Sequence, residues 1–380
     1  MVTTEQVEAA LRRVIDPELG ADVVELGMIK GITIGDETVT VRIALTVAAC
    51  PLRDQIESDV KRKVGAMGGV EQVQVEVGAM SQEERSELMG KARRHARESA
   101  ALTRVSPTTR VVAVSSGKGG VGKSTLSVNL AAAIADQGYS VGVLDADIWG
   151  FSIPRMLGAL DQQLSAGEDR LIHPTAVGGI HLVSTGLIVG DEDTALMWRG
   201  LMLSKALEQF LRDVAWPSDL DYLVLDMPPG TGDIQMALAR LLPQAEMVVV
   251  TTPQQAAQKV AARVADMARR SFMPVIGVIE NMSGFTTEDG KQYPLFGEGG
   301  GRELADDLGV PLLGQVPLDP QVVEGGDEGR PVVRAHPGGP AATAIKESAR
   351  RLTELLPPAE DDTCTSRIAV LAEQLERMAR

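Results

Sequence analysis

The chain contains few cysteines and no long apolar run. Its 380 residues include two cysteines, Cys50 and Cys364, which lie far apart in the sequence, so a disulfide framework is not expected and reduced thiols fit better. No segment approaches the roughly 18 uninterrupted apolar residues that a membrane helix needs, and residues 1–5 lack the basic-then-apolar pattern of a secretory signal. These absences predict a cytoplasmic protein without a membrane partner.

The chain also has fewer basic residues than acidic residues. The sequence has 37 Lys and Arg against 52 Asp and Glu, which gives a formal net charge of −15. Nonspecific nucleic-acid binding draws its affinity from lysines and arginines that neutralise phosphates, so we predict no nucleic-acid partner. The hydrophobic content of 44% is sufficient for two domains with buried cores.

The spacing of apolar residues divides the chain into four segments, 1–80, 81–107, 108–357 and 358–380. The first segment predicts a small α/β domain, because it shows both helical spacing and strand-like alternation. The predicted helices cover 5–14 and 51–64, and the predicted strands cover 39–45 and 73–77. The second is charged and rich in alanine, and it predicts a helical linker. The fourth is acidic and then amphipathic, with apolar residues spaced as in a helix that packs on another helix.

The third segment predicts the main domain. Short β-branched runs alternate in it with helical stretches, and the runs occupy 111–115, 141–145, 222–226, 247–252 and 275–281. This alternation is typical of a mostly parallel sheet with helices on both faces, in which ligands bind at the carboxyl ends of the strands. The predicted fold class is therefore α/β, with the small α/β domain preceding it.

A glycine-rich loop follows the first of these strands. It consists of Gly117, Lys118, Gly119, Gly120, Val121, Gly122, Lys123, Ser124 and Thr125. Such a loop between a strand and a helix is a Walker A phosphate loop, whose backbone N–H groups converge on phosphate oxygens. We predict that the loop binds ATP, that Lys123 reaches the β- and γ-phosphates and that Ser124 ligates Mg²⁺.

A second lysine, Lys118, directly follows the first glycine of the loop. This placement resembles the deviant Walker A signature of the dimerising ATPases related to nitrogenase iron protein, MinD and ParA. The resemblance implies a P-loop NTPase that forms a homodimer. It also implies that Lys118 reaches across the dimer interface to the nucleotide of the partner.

Carboxylates follow two of the other predicted strands. Asp145 and Asp147 end the second strand, and the resemblance implies that Asp147 orients the attacking water while Asp145 supports the metal through its water shell. Asp226 ends an apolar strand as a Walker B carboxylate does, so it is predicted to lie near Mg²⁺. The alternative for a strand-end aspartate is a cap of the following turn. Asn281 is a candidate contact for adenine, with a structural asparagine as the alternative.

The chain as a whole resembles the Mrp-type ATPases, bacterial relatives of eukaryotic iron–sulfur scaffold and carrier NTPases. The residues that carry the resemblance are 117–125, 145–150, 152–154, 226–233, 251–254, 280–283 and 296–301. The first segment is similar to the small domain of iron–sulfur assembly factors through 16–18, 25–27 and 50–52. The resemblance implies an ATP-hydrolysing homodimer that binds iron–sulfur clusters and transfers them to apoproteins.

One feature departs from the family pattern. Family members commonly carry a Cys-x-x-Cys pair shortly after residues equivalent to 280–283, but residues 284–290 of this chain contain no cysteine. An interface cluster with the usual four thiolates cannot be built at that position. Cys50 precedes Pro51 at a predicted helix start, where a thiolate is stabilised, so it is a candidate cluster ligand or reactive thiol, with a buried structural cysteine as the alternative.

Two other functions remain open from the sequence. The first is a ParA- or MinD-like switch, in which ATP-driven dimerisation positions a cargo on DNA or membrane. The acidic character of the last segment disfavours its binding to anionic lipid. The second is an ATP-dependent scaffold without bound metal.

Overall fold

The computed structural model describes residues 2–16, 19–46, 53–99, 103–147, 150–189, 200–230, 233–271, 273–287, 289 and 291–358. The chain divides into two compact units, 1–100 and 101–380. Cys50, Cys364 and the amphipathic helix predicted after residue 358 lie outside the described residues. Among the described residues, none of the helices combines the length and the apolar character that crossing a bilayer requires.

The first unit contains a small sheet in the order β1-β2-β3. Its elements are α1 (Thr4–Leu11), β1 (Ile29–Ile34), β2 (Thr38–Leu45), α2 (Arg53–Gly65), β3 (Gln72–Ala79) and α3 (Gln82–Ser99). Strand β2 pairs antiparallel with β1 and parallel with β3, and it buries Val39, Val41 and Ile43 on one face. The sequence did not predict β1, because Gly31 and a register shift next to it interrupt the alternation.

Helix α3 lies in the segment for which the sequence predicts a linker. Its Leu88 and Ala92 are buried, and its Glu84 forms an ion pair with Lys30 of β1 at 2.9 Å. Burial of these two apolar side chains means that α3 packs as part of the first unit. The helix itself was predicted.

The second unit alternates strands with helices. Its strands are β4 (Arg110–Ser116), β5 (Val141–Asp145), β6 (Ser165–Ala166), β7 (Ile172–His173), β8 (Thr175–Val177), β9 (Ile180–Ser184), β10 (Tyr222–Asp226), β11 (Glu246–Thr251), β12 (Val275–Thr286), β13 (Gln292–Tyr293) and β14 (Leu312–Leu318). Its helices are α4 (Lys123–Ala135), α5 (Ile153–Met156), α6 (Gly186–Val189), α7 (Gly200–Arg212), α8 (Asp233–Leu241), α9 (Gln255–Arg270), α10 (Gly300–Leu308), α11 (Pro320–Asp327), α12 (Val332–Ala335) and α13 (Pro340–Leu355).

The central sheet of this unit is mostly parallel. Its order is β13-β12-β11-β4-β10-β5-β9-β8, with β14 also paired to β12, and only β13 and β8 run antiparallel to their neighbours among the described strands. The five predicted strands correspond to β4, β5, β10, β11 and β12, so the predicted α/β class is confirmed. The parallel strands β9 and β14, which widen this sheet, were not predicted.

Alternate residues of the central strands face two different hydrophobic layers. Val111 and Ala113 of β4 pack in the layer that includes α7, α8 and α9, whereas Val112 and Val114 pack in the layer that includes α4 and α13. Both faces of a parallel sheet are therefore buried, as helical crossovers require. The polar residues at the carboxyl ends of the strands are therefore available to form a site.

The phosphate loop packs directly under helix α9. A Cβ atom on Gly117 would lie 2.5 Å from the backbone nitrogen of Ala261 and 2.5 Å from the backbone carbon of Val260. By contrast, a Cβ atom on Gly119 would have no neighbour within 4 Å. Glycine is required at Gly117 because the loop backbone and a helix backbone touch there.

We expect Gly117→Ala to lower the free energy of unfolding of the nucleotide-free chain by about 1–3 kcal/mol, because the added methyl group must displace helix backbone. The matched control Gly119→Ala is expected to change it by less than about 0.5 kcal/mol. Urea unfolding followed by tryptophan fluorescence measures this, since all three tryptophans belong to the second unit. Equal destabilisation by both substitutions would contradict the packing argument.

Candidate functional site

The phosphate loop connects β4 to α4 at the carboxyl end of the central strand. Its backbone enters the left-handed region at Gly120 (φ 77°) and Gly122 (φ 78°), and α4 begins at Lys123. The Ser116 hydroxyl donates to the backbone oxygen of Lys118 at 3.0 Å and closes the loop from below. The positive end of α4 and the loop N–H groups together form a site for an anion.

Three polar residues line up in register beside the loop. Asp226 of β10 pairs with Asp145 of β5, and Asp145 pairs with Ser184 of β9. Neighbouring strands lie about 4.8 Å apart, and residues in register on parallel strands point to the same face. Two carboxylates and a hydroxyl therefore meet on the face that α4 covers.

Lys123 is the cation at the centre of this cluster. Its side chain is 6% exposed, and its Nζ lies 2.7 Å from Asp226 Oδ2 and 3.6 Å from Asp147 Oδ2. The Ser124 hydroxyl lies 3.2 Å from the same ammonium and donates to Asp226 Oδ2 at 2.6 Å. A buried ammonium is tolerated only with such charged and polar partners.

Asp226 is held by a second hydroxyl. Its Oδ1 accepts a 2.7 Å hydrogen bond from Ser127, one turn along α4, and its carboxylate is 1% exposed. Both carboxylate oxygens are therefore oriented by side chains of one helix. Ser127 was not predicted as a site residue, although its spacing from Lys123 and Ser124 places all three on one face of α4.

Asp145 organises the turn that carries Asp147. Its Oδ1 accepts the backbone N–H of Asp147 at 3.2 Å, and its Oδ2 accepts the Ser184 hydroxyl at 3.0 Å. Burial, together with the charge of Asp226, raises the pKa of Asp145 to about 8. Burial also raises the pKa of Asp147, and the nearby Lys123 ammonium opposes that shift. Asp147 is the more accessible carboxylate, at 16% exposure.

Asn281 and Lys118 lie away from the carboxylate cluster. Asn281, at the bulge of β12, donates its amide N–H to the backbone oxygen of Val121 at 2.9 Å. Its Nδ2 occupies the space that a Cβ atom on Gly122 would need. Lys118 donates to the side-chain oxygen of Gln254 at 3.0 Å. Two polar contacts thus hold the phosphate loop on the side away from the carboxylate cluster.

The loop that follows β10 is braced by a glutamine of α8. Gln235 donates its amide to the backbone oxygens of Gly230 and Pro228, at 2.5 and 3.3 Å. The Gly230 N–H in turn donates to the oxygen of Ser116 at 2.9 Å. This loop therefore contacts the end of β4, directly before the phosphate loop. Neither Gln235 nor Ser184 was predicted from the sequence.

The oxygen donors of this cluster fit magnesium. No group of three or more His, Cys, Asp and Glu side chains able to hold a metal occurs in the part of the chain that the structure describes. Magnesium is commonly held by one or two carboxylates or hydroxyls together with substrate phosphates, so a protein-only cage is not needed. Ser124 and Asp226 supply such donors.

The raised pKa of Asp145 gives the stability of the nucleotide-free chain a defined pH dependence. An acid whose folded-state pKa lies above its unfolded value of 3.8 destabilises the folded state increasingly as pH rises towards about 8. We expect the free energy of unfolding of Asp145→Asn, relative to the original chain, to increase between pH 5 and pH 8. Urea unfolding at both pH values measures it, and a pH-independent difference would show that the carboxyl does not titrate in this range.

Comparison with known proteins matches both units. A ParA-type family model described as the NUBPL iron-transfer P-loop NTPase matches residues 107–353, and a model of iron–sulfur cluster assembly proteins matches residues 4–77. An iron–sulfur cluster carrier protein of Mycobacterium tuberculosis is 48% identical over 339 residues, which cover 87% of this chain and 88% of the relative. A protein of the same name from Deinococcus radiodurans is 44% identical over 344 residues, covering 90% and 93%.

A solved structure is also similar to the second unit. The nucleotide-binding protein of Archaeoglobus fulgidus in complex with ADP aligns with a TM-score of 0.51 and 34% identity over 58% of this chain and 86% of that chain. The P-loop NTPase fold and the Mrp-type resemblance predicted from the motifs are confirmed. The chain belongs to the family of NUBPL-type iron-transfer P-loop NTPases, with an iron–sulfur assembly domain preceding the NTPase domain.

Proposed function

We propose that this protein binds and hydrolyses ATP and carries iron–sulfur clusters to apoproteins, with hydrolysis coupled to transfer. The observation that carries the proposal is the buried Lys123 ammonium, 2.7 Å from Asp226 and 3.2 Å from the Ser124 hydroxyl, at the start of the helix that follows a phosphate loop. The proposal that the cargo is an iron–sulfur cluster is supported by the family and by relatives named iron–sulfur cluster carrier proteins, which match most of the chain.

The loop from Gly117 to Thr125 is proposed to bind the nucleotide. Its N–H groups and the positive end of α4 attract phosphate oxygens, and Lys123 adds a full positive charge at the same place. Asn281 is proposed to contact adenine. Its hydrogen bond to Val121 uses the amide N–H, and its amide oxygen can accept from the base.

Ser124, Asp226 and Asp145 are proposed to hold Mg²⁺, directly or through water. The 2.6 Å hydrogen bond between Ser124 and Asp226 supports this assignment, because it brings a hydroxyl and a carboxylate oxygen to one point. When bound, the ion neutralises charge on the β- and γ-phosphates. Asp145 has both oxygens engaged within the protein, so its proposed contribution to the metal is through the water shell of the ion.

Asp147 is proposed to orient the water that attacks the γ-phosphate. Phosphoryl transfer depends on positioning and charge compensation, so one carboxylate held near the phosphate lysine is sufficient. Asp147 lies 3.6 Å from Lys123, is more exposed than Asp145 and Asp226, and has its backbone N–H fixed by Asp145. These contacts favour it over the other two aspartates.

The active form is proposed to be a homodimer in which Lys118 acts on the nucleotide of the second copy. Among the described residues, the Lys118 ammonium bonds to Gln254, whereas Lys123 occupies the carboxylate cluster of its own subunit. A dimer also contains two copies of Cys50. Two thiolates leave iron sites open to the cysteines of a recipient, which suits transfer rather than storage.

Substitutions at Lys123 and Asp147 separate binding from hydrolysis. Lys123→Ala is expected to abolish tight ATP binding, and Lys123→Arg, which keeps the charge beside Asp226, serves as the check on folding. Asp147→Ala is expected to keep ATP binding and to lower the hydrolysis rate by about 10²–10⁴-fold, because only the water-orienting group is lost.

Calorimetric titration with ATP and a phosphate-release assay measure the two effects. Asp161→Ala, at an exposed aspartate of the same unit, is the matched control and is expected to retain both properties. Loss of ATP binding in Asp147→Ala would show that Asp147 is a structural residue.

The cluster is expected to depend on Cys50 and to be labile. Each chain offers two thiols, and residues 284–290, where family members commonly carry a cysteine pair, contain none. Anaerobic reconstitution of the original chain, Cys50→Ser and Cys364→Ser with iron and sulfide, followed by counting of both elements per chain, tests this. Undiminished cluster in Cys50→Ser would refute the assignment, and no cluster in the original chain would favour a metal-free scaffold.

A further inference from the structure

The side chain of Gln254 has an unusual role for its position. It is the N-cap residue that precedes α9, with φ −63° and ψ 130°, and its side chain makes no capping hydrogen bond to that helix. Its amide oxygen instead accepts the 3.0 Å hydrogen bond from the Lys118 ammonium, 136 residues away in the sequence. The contact therefore joins the phosphate loop to the loop that follows β11.

Gln254 is firmly anchored. The preceding Pro253 is buried, and its backbone oxygen accepts the side-chain amide of Gln258 at 3.0 Å from the next turn of α9. The backbone of α9 also touches Gly117, the residue before Lys118. The helix that follows Gln254 and the start of the phosphate loop are therefore in direct contact.

Further contacts connect α9 to the other side of the phosphate loop. Gly300 of α10 packs against Gln258, and the next N–H, of Gly301, donates to the buried Glu280 of β12 at 2.5 Å. The following residue, Asn281, holds Val121 of the loop. These contacts connect Lys118 through α9, α10 and β12 to Val121 of the phosphate loop. Among them, the Lys118–Gln254 hydrogen bond is the one in which the partner of the lysine, Gln254, has no assigned role.

We propose that Gln254 is a positioning residue that holds Lys118 against its own subunit in the nucleotide-free chain and must release it before Lys118 can reach the nucleotide of a second copy. The inference rests on the proposed homodimer in which Lys118 acts in trans. A lysine held by its own subunit lowers the fraction of chains competent to dimerise. Because both copies in a homodimer must be competent, the apparent dimer affinity falls by the square of that fraction. Gln254 therefore sets the protein concentration at which ATP drives dimerisation.

Two substitutions at this position shift the equilibrium in opposite directions. Gln254→Ala removes the acceptor, so the midpoint concentration of dimerisation with a non-hydrolysable ATP analogue is expected to fall by up to about tenfold. Gln254→Glu replaces a neutral acceptor by a carboxylate, which makes a stronger bond to the ammonium, so the midpoint is expected to rise. Gln162→Ala, at an exposed glutamine of the same unit, is the control and is expected to leave the midpoint unchanged.

Sedimentation velocity over a range of protein concentrations measures the midpoints, and the same pair of substitutions is made in a Lys118→Ala chain. Neither substitution is expected to change the dimerisation of the Lys118→Ala chain, including where the loss of Lys118 leaves that chain monomeric over the whole range, as a double-mutant cycle requires of a direct interaction. Effects of equal sign in Gln254→Ala and Gln254→Glu, or effects that persist without Lys118, would overturn the proposal.

A second readout does not need the dimer. The rate at which a small amine-reactive reagent labels Lys118 in the nucleotide-free chain is measured by mass spectrometry. It is expected to rise in Gln254→Ala and to fall in Gln254→Glu. Unchanged labelling refutes the proposed hold on Lys118 even where ATP-driven dimers form. Altered labelling in a chain that never dimerises with nucleotide leaves the hold intact and refutes the trans role on which the proposed regulation depends.

Discussion

The buried ion pair between Lys123 and Asp226 is the interaction on which the site depends. At 2.7 Å and with both side chains almost inaccessible, it joins the phosphate loop to the end of β10. Each ion would be strongly unfavourable there without the other. The hydroxyls of Ser124 and Ser127 share the carboxylate, so α4, the loop and β10 hold one another in a single arrangement. The charges at this edge of the sheet are therefore already oriented in the nucleotide-free chain.

The parallel sheet creates this concentration of charge. Asp226, Asp145 and Ser184 are in register on three neighbouring strands, so their side chains share one face at the carboxyl end of the sheet. Burial and the adjacent Asp226 carboxylate disfavour the charged form of Asp145, which raises its pKa. A cation bound at this edge would oppose that shift and favour the ionised carboxylate.

On the side away from the carboxylate cluster, neutral polar groups hold the phosphate loop. Asn281 and Gln254 hold Val121 and Lys118 through side-chain amides, which form weaker bonds than charged partners do. The two lysines of the loop therefore differ in how firmly they are bound, Lys123 by carboxylates and Lys118 by an amide. This difference suits one lysine that stays in its own site and one that leaves it.

The sequence by itself determined the phosphate loop, the five central strands and the carboxylates at their ends, because these features are local patterns of a few consecutive residues. It also indicated the family, since the motifs recur along most of the chain. The helix predicted over 5–14 ends at Leu11. Strands β1, β9 and β14 were missed, because β1 and β14 contain a glycine and β9 has only five residues, which leaves little periodicity to recognise. Only the tertiary structure decided that Ser184 meets Asp145 and that Gln254 meets Lys118. These pairs are 39 and 136 residues apart, and their contact follows from strand order and helix packing, which no local pattern encodes.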